Sequence, residues 1–115
     1  MNTQKEKKWT LDREISWEMA LDAIKEIEGI LMRSTYHIDD KEEIKRLDER
    51  ALEIFKETDK FDMYDDEIVK AVNDTYWPLI RAYFEDPRDD EKELVADKRY
   101  EVFLNTKVDY NAFKK

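Results

Sequence analysis

One histidine, His37, and two serines, Ser16 and Ser34, are the whole supply of imidazole and hydroxymethyl groups in this chain of 115 residues. A histidine relay needs a nucleophile within hydrogen-bond reach and a carboxylate behind the ring. His37 stands between Tyr36 and Ile38 with no such motif around it, so a loop or core role is expected. There is no cysteine, which removes thiolate catalysis, disulfides and Cys-bound zinc. The single glycine, Gly29, leaves no glycine-rich loop to cradle phosphates.

Carboxylates are the remaining chemistry, with 30 acidic against 21 basic residues and a net charge of −9. Di-iron bundles need Glu-x-x-His pairs, and no Glu precedes His37 by three residues. All-carboxylate magnesium sites, as in all-helical nucleoside triphosphate pyrophosphohydrolases, pair acidic residues on facing helices. Glu18 and Asp22 supply one such spacing, and Glu42, Glu43, Glu49 and Glu53 a second. In so acidic a chain these spacings also arise by chance. Asp59, Asp62, Asp65 and Asp66 lack the spacing and central glycine of a calcium loop. The expectation is no metal, no cofactor and no catalytic role.

Glu14, Glu18, Asp22 and Glu26 form an i, i+4 acidic row. Each step rises ~6 Å along a helix, and like charges so placed oppose helix formation by a few tenths of a kcal/mol each. The row therefore reads as a solvated face or as a nucleic-acid mimic. Lys25 within it, and the mixed signs of Lys41 to Arg46, speak against a one-signed mimic surface. Trp77, Arg81 and Phe84 lie on one side of a later segment. Trp and Arg are frequent interface anchors, while packing beneath the last helix is the alternative. Trp9 is a further candidate anchor.

Helices must position these groups. Thr10 and three acidic pairs, Asp39-Asp40, Asp65-Asp66 and Asp89-Asp90, each precede an apolar periodic run. A short acceptor followed by negative charge is a helix start. The first segment runs from about Leu11 to Arg33, with Trp17, Ala20, Leu21, Ile24, Ile27 and Leu31 on one face and Ile15, Met19, Ala23 and Ile30 beside it. A stripe so wide predicts more than one neighbour. The second runs from Asp39 to about Glu57, with Asp39 and Glu42 as a capping box and a stripe of Ile44, Leu47, Ala51, Ile54, Phe55 and Thr58. The third starts near Asp65, its face made by Val69, Val72, Tyr76, Ile80 and Tyr83. Pro78 predicts a kink or break there. The fourth covers about 89–104, with Arg99 in an apolar face and so in need of a carboxylate. Asp109 is expected to cap a short C-terminal helical turn on which Tyr110 and Phe113 dock.

The expected fold is all-α, a compact four-helix bundle: a flexible tail over 1–9 and one helical domain over 10–115. Few turn formers argue against a sheet. The charge disfavours direct nucleic-acid or anionic-membrane binding. Residues 1–8 lack the apolar core of a signal peptide, and no stretch approaches the ~20 apolar residues of a membrane span, so a cytoplasmic location is expected. The leading functional expectation is a small acidic, non-enzymatic protein. It binds and modulates or inhibits a protein partner, basic or nucleic-acid-handling, as inhibitors, immunity proteins and adaptors do. The contact residues are expected to be Trp77, Arg81 and Phe84 together with Glu14, Glu18, Asp22 and Glu26. The alternatives are nucleic-acid mimicry against an effector such as a restriction or CRISPR enzyme, and the magnesium-dependent pyrophosphohydrolase. The pattern also allows a homodimer through Ile15, Met19 and Ile30 of the first helix.

Overall fold

Every long helix begins at a residue whose short side chain accepts a hydrogen bond. The computed structural model describes residues 8–88 and 90–113, and over these the chain is all-α with no strand. Helix α1 (Leu11–Ser34), α2 (Lys41–Lys56) and α3 (Asp66–Phe84) are long; α4 (Glu91–Ala96) and α5 (Glu101–Asn105) are short. Thr10 caps α1 by accepting from Arg13 N at 3.1 Å, Asp40 caps α2 from Glu42 N at 3.0 Å, and Asp90 caps α4 from Lys92 N at 2.9 Å. The α2 cap is thus the second member of its acidic pair, one residue past the expected Asp39. Asp65 stands at the α3 N-cap, but its carboxylate accepts from Asp62 N at 2.8 Å and so shapes the preceding turn. Apart from Lys8 and Trp9, the expected tail lies outside the described residues, as does Asp89.

Helix α1 is the central element. It packs along both α2 and α3, and α4 closes on it. Ala20, Ala23, Ile24, Ile27, Ile30 and Leu31 are fully or almost fully buried. The 3₁₀ turn Thr35–His37 reverses the chain into α2. In α3 the predicted face of Val69, Val72, Tyr76, Ile80 and Tyr83 is buried throughout. At ~1.5–3 kcal/mol for each fully buried large aliphatic or aromatic side chain, these stripes carry the association of the three helices. Helix α3 runs without interruption through Pro78. That residue is exposed, on the solvent side, where water can take the place of the missing backbone bond.

The α2 stripe is narrower than the sequence suggested and includes charge. Leu47, Ala51 and Ile54 are buried, but Phe55 is half exposed, while Arg50 and Glu57 are each only 4% exposed. Arg50 donates to Phe103 O at 2.9 Å, Thr106 O at 3.0 Å, Glu53 at 2.6 Å and Glu57 at 3.2 Å. Glu57 Oε1 accepts from the hydroxyls of Tyr76 at 2.7 Å and Tyr110 at 2.6 Å. Burial, reinforced by the neighbouring Glu57, pushes both hydroxyls well above the ordinary phenol range, so they remain donors. This network fastens the C-terminal segment to α2 and α3. Tyr110 also stacks on Phe61 with ring centroids 6.2 Å apart. The terminal 3₁₀ turn Tyr110–Phe113 forms as expected, with Asp109 accepting from Asn111 N at 3.1 Å.

The fourth segment is two helices rather than one, and the break has a local cause. Lys98 adopts φ 55°. Lys98 N bonds Val95 O at 2.9 Å and Arg99 N bonds Leu94 O at 3.0 Å, which is the Schellman ending of α4 with Lys98 in the place glycine usually takes. The turn removes Arg99 from any apolar face. Arg99 is half exposed and pairs with Asp86 at 3.4 Å, so its carboxylate partner is intramolecular. Asp86 also accepts from Arg88 N, Nε and Nη2 at 2.8–3.0 Å. Those bonds from Arg88, aided by Arg99, hold its carboxyl below the usual carboxylate range. A left-handed residue with a Cβ costs ~1–2 kcal/mol, and the exposed Lys98–Glu43 pair at 3.9 Å offsets little of it. Lys98→Gly is therefore expected to stabilise the fold by about 1 kcal/mol, read as a higher urea midpoint; an unchanged or lower midpoint contradicts this account of the turn.

Candidate functional site

The outer side of α1 carries two neighbouring i, i+4 rows. One is apolar: Leu11, Ile15 and Met19 are 58%, 45% and 43% exposed. The next, offset by three residues, is the acidic row of Glu14, Glu18, Asp22 and Glu26. Glu14 is half-buried and the other three are exposed. Among the described residues, none of these four carboxylates forms an ion pair, and neither does Lys25 on the row beyond. Elsewhere in the fold Arg33 pairs with Glu91 at 3.4 Å, Arg46 with Glu101 at 2.8 Å and with Glu43, and Lys107 with Glu53 at 3.2 Å; what sets the α1 row apart is its four-residue i, i+4 run beside exposed apolar side chains. The acidic row keeps its charge and its mutual repulsion. The apolar column foreseen beside it divides: Ala23 and Ile30 are core, and Ile15 and Met19 face solvent. Of the three positions named for a dimer contact, Ile15 and Met19 stand at the surface and Ile30 is buried in the core.

Trp77, Arg81 and Phe84 share a side of α3, but they do not share a role. Trp77 is half-buried. Its Nε1–H donates to Met19 O and to Asn73 Oδ1, both at 3.2 Å, while Asn73 Nδ2 donates to Ser16 O at 3.0 Å. With the Arg13–Asp66 pair at 3.2 Å, these contacts set α3 parallel to α1 and make Trp77 a clamp between them. In that register Phe84 stands level with Glu26. Phe84 is 57% exposed and meets Tyr83 edge-on at 5.4 Å. Arg81 is exposed and forms no ion pair among the described residues. Arg81 and Phe84 are thus the exposed members of the trio, Phe84 lying beside Tyr83, Arg88, Glu91 and Leu94, while Trp77 is fixed against α1.

The other chemistry-bearing groups are occupied with one another. His37 Nε2 lies 3.4 Å from Glu91. The buried Ser34 hydroxyl donates to Ile30 O at 2.7 Å. Glu18 and Asp22 point outward, whereas Glu43 accepts from Tyr100 at 2.9 Å and Glu53 from Arg50. Among the described residues no three carboxylate or imidazole groups are placed to hold a metal ion. A groove of about 550 Å³ lies between the N-terminal halves of α1 and α3. Four of the charged side chains that line it pair with one another, Arg13 with Asp66 and Lys70 with Asp74. Among the described residues no helix is long and apolar enough to cross a membrane.

Comparison with protein-family models, curated proteins and solved structures finds no match. The site therefore rests on its own geometry. Leu11 was not singled out by its spacing, because an apolar residue in a first turn reads equally well as a core position. Truncation separates clamp from surface. Trp77→Ala is expected to cost about 3 kcal/mol and Phe84→Ala about 0.5 kcal/mol in urea unfolding. Equal losses contradict the division.

Proposed function

We propose that this chain is a small acidic binding protein, without a catalytic role, that occupies the surface of a protein partner and so modulates or inhibits it. The observation that carries the reading is the outer face of α1, where an exposed apolar row lies beside four carboxylates with no cation partner among the described residues. Exposed apolar side chains contribute only when a partner removes them from water. Unpaired carboxylates speed and orient encounter with a cationic surface. Arg81 and Phe84 add the side-chain types that anchor interfaces. A net charge of −9 makes bare nucleic acid and anionic membrane poor partners, and the working location is the cytoplasm.

One observation also favours nucleic-acid mimicry. The four carboxylates climb α1 at ~6 Å per step and keep their charge unpaired. A basic nucleic-acid-handling partner is consistent with that. The apolar row and Lys25 do not imitate a phosphate backbone, so protein-surface binding is the better account. The magnesium hydrolase reading has no converging carboxylates among the described residues to rest on.

The test is capture from nuclease-treated lysate by the tagged protein and by two double variants, Ile15→Ser with Met19→Ser and Glu18→Lys with Asp22→Lys. All four positions are partly or fully exposed, so helix content should be unchanged by circular dichroism. Each double variant is expected to recover the partner at least about tenfold less well. Equal recovery by folded variants would sink the assignment to this face.

A further inference from the structure

The occupant of the α1 face can be specified further, on the premise that this face binds protein. Helices pack by seating a ridge of one in the groove between two ridges of the other. On α1 the groove lies between Leu11, Ile15 and Met19 on one side and Glu14, Glu18, Asp22 and Glu26 on the other. Both ridges follow the i, i+4 direction, which is the one used in the commonest helix–helix packing. The two walls differ in chemistry, apolar against anionic, and most of their side chains are exposed. We infer that this groove takes an amphipathic α-helix of the partner, one of whose i, i+4 rows is apolar and the adjacent row basic.

Three observations select that occupant. The acidic wall forms no ion pair among the described residues, so its charge is open to a cationic partner. The partner's charges must recur at the rise of an α-helix, because the carboxylates do. The apolar wall requires buried side chains alongside, which a phosphate-binding groove does not supply. A second copy of this chain fits poorly. It brings a second acidic row, with Lys25 the one cation beside that row among the described residues, and like charges brought together oppose pairing. The slot spans residues 11–26, ~22 Å along the axis, which corresponds to about four turns of partner helix.

The probes are three synthetic peptides of about eighteen residues, or five turns. The first carries a Leu row beside a Lys row at i, i+4 spacing. The second has the same composition with both rows scrambled. The third replaces every Lys by Glu. Titrated against the full chain by fluorescence anisotropy, the first is expected to bind at least about tenfold more tightly than the second, and the third not at all. Ile15→Ser with Met19→Ser should abolish the difference between the first two. Equal binding of the ordered and scrambled peptides overturns the helix inference; so does the absence of binding by all three. In either case the protein-binding reading survives if the α1 variants still lose the cellular partner, and it falls as well if they retain it.

Discussion

The buried Arg50–Glu57 pair is the constraint on which the closure of this fold depends. Removing a guanidinium and a carboxylate from water costs several kcal/mol per ion unless hydrogen bonds replace the lost hydration. The bonds that replace it come largely from elsewhere in the chain. Arg50 needs the carbonyls of Phe103 and Thr106, and Glu57 needs the hydroxyls of Tyr76 and Tyr110. The pair is therefore satisfied only when the C-terminal segment lies across α2 and α3. Docking that segment contributes apolar burial through Phe103 and the Phe61–Tyr110 stack, while the polar network fixes where it docks.

That placement has a functional consequence. The C-terminal segment covers the junction of α2 and α3, and α4 closes on α1 near the Thr35–His37 turn. Nothing in the described chain is left to cover the outer side of the N-terminal half of α1. Ion pairs of the described residues join α1 to α3, α2 to α5, and the α3–α4 connection to itself. On α1 a run of four carboxylates lies where apolar side chains are exposed too. An acidic face beside an apolar row is costly to keep in a monomer and useful against a cationic partner.

The all-α fold and its starts were legible because capping is a local interaction. Thr10, Asp40 and Asp90 reveal themselves by type and by the apolar period behind them. The α1 core and the α3 face follow from the same period. What could not be read has non-local or conformational causes. Lys98 ends α4 in a left-handed conformation that its type does not favour, so a single fourth helix looked reasonable. Arg50 and Glu57 lie at the edge of the α2 stripe, seven residues apart, and the partners that make their burial tolerable, Tyr76, Phe103, Thr106 and Tyr110, all lie outside α2. Trp77 read as an anchor by type, and its tie to Met19 O depends on α3 lying parallel to α1. The acidic row is visible in the sequence, but that it forms no ion pair among the described residues is not, because pairing depends on which helices become neighbours.

Hydroxyl-radical footprinting of the protein alone and in complex with its captured partner tests the central claim most directly, because it reads side-chain burial residue by residue. Met19, Leu52 and Phe55 are all substantially exposed in the free chain and lie on different faces. The account predicts that the partner protects Met19 along with Leu11 and Ile15, and leaves Leu52 and Phe55 as reactive as before. Protection of Leu52 and Phe55 with Met19 unchanged would place the partner on α2 and contradict the assignment of the binding face to α1.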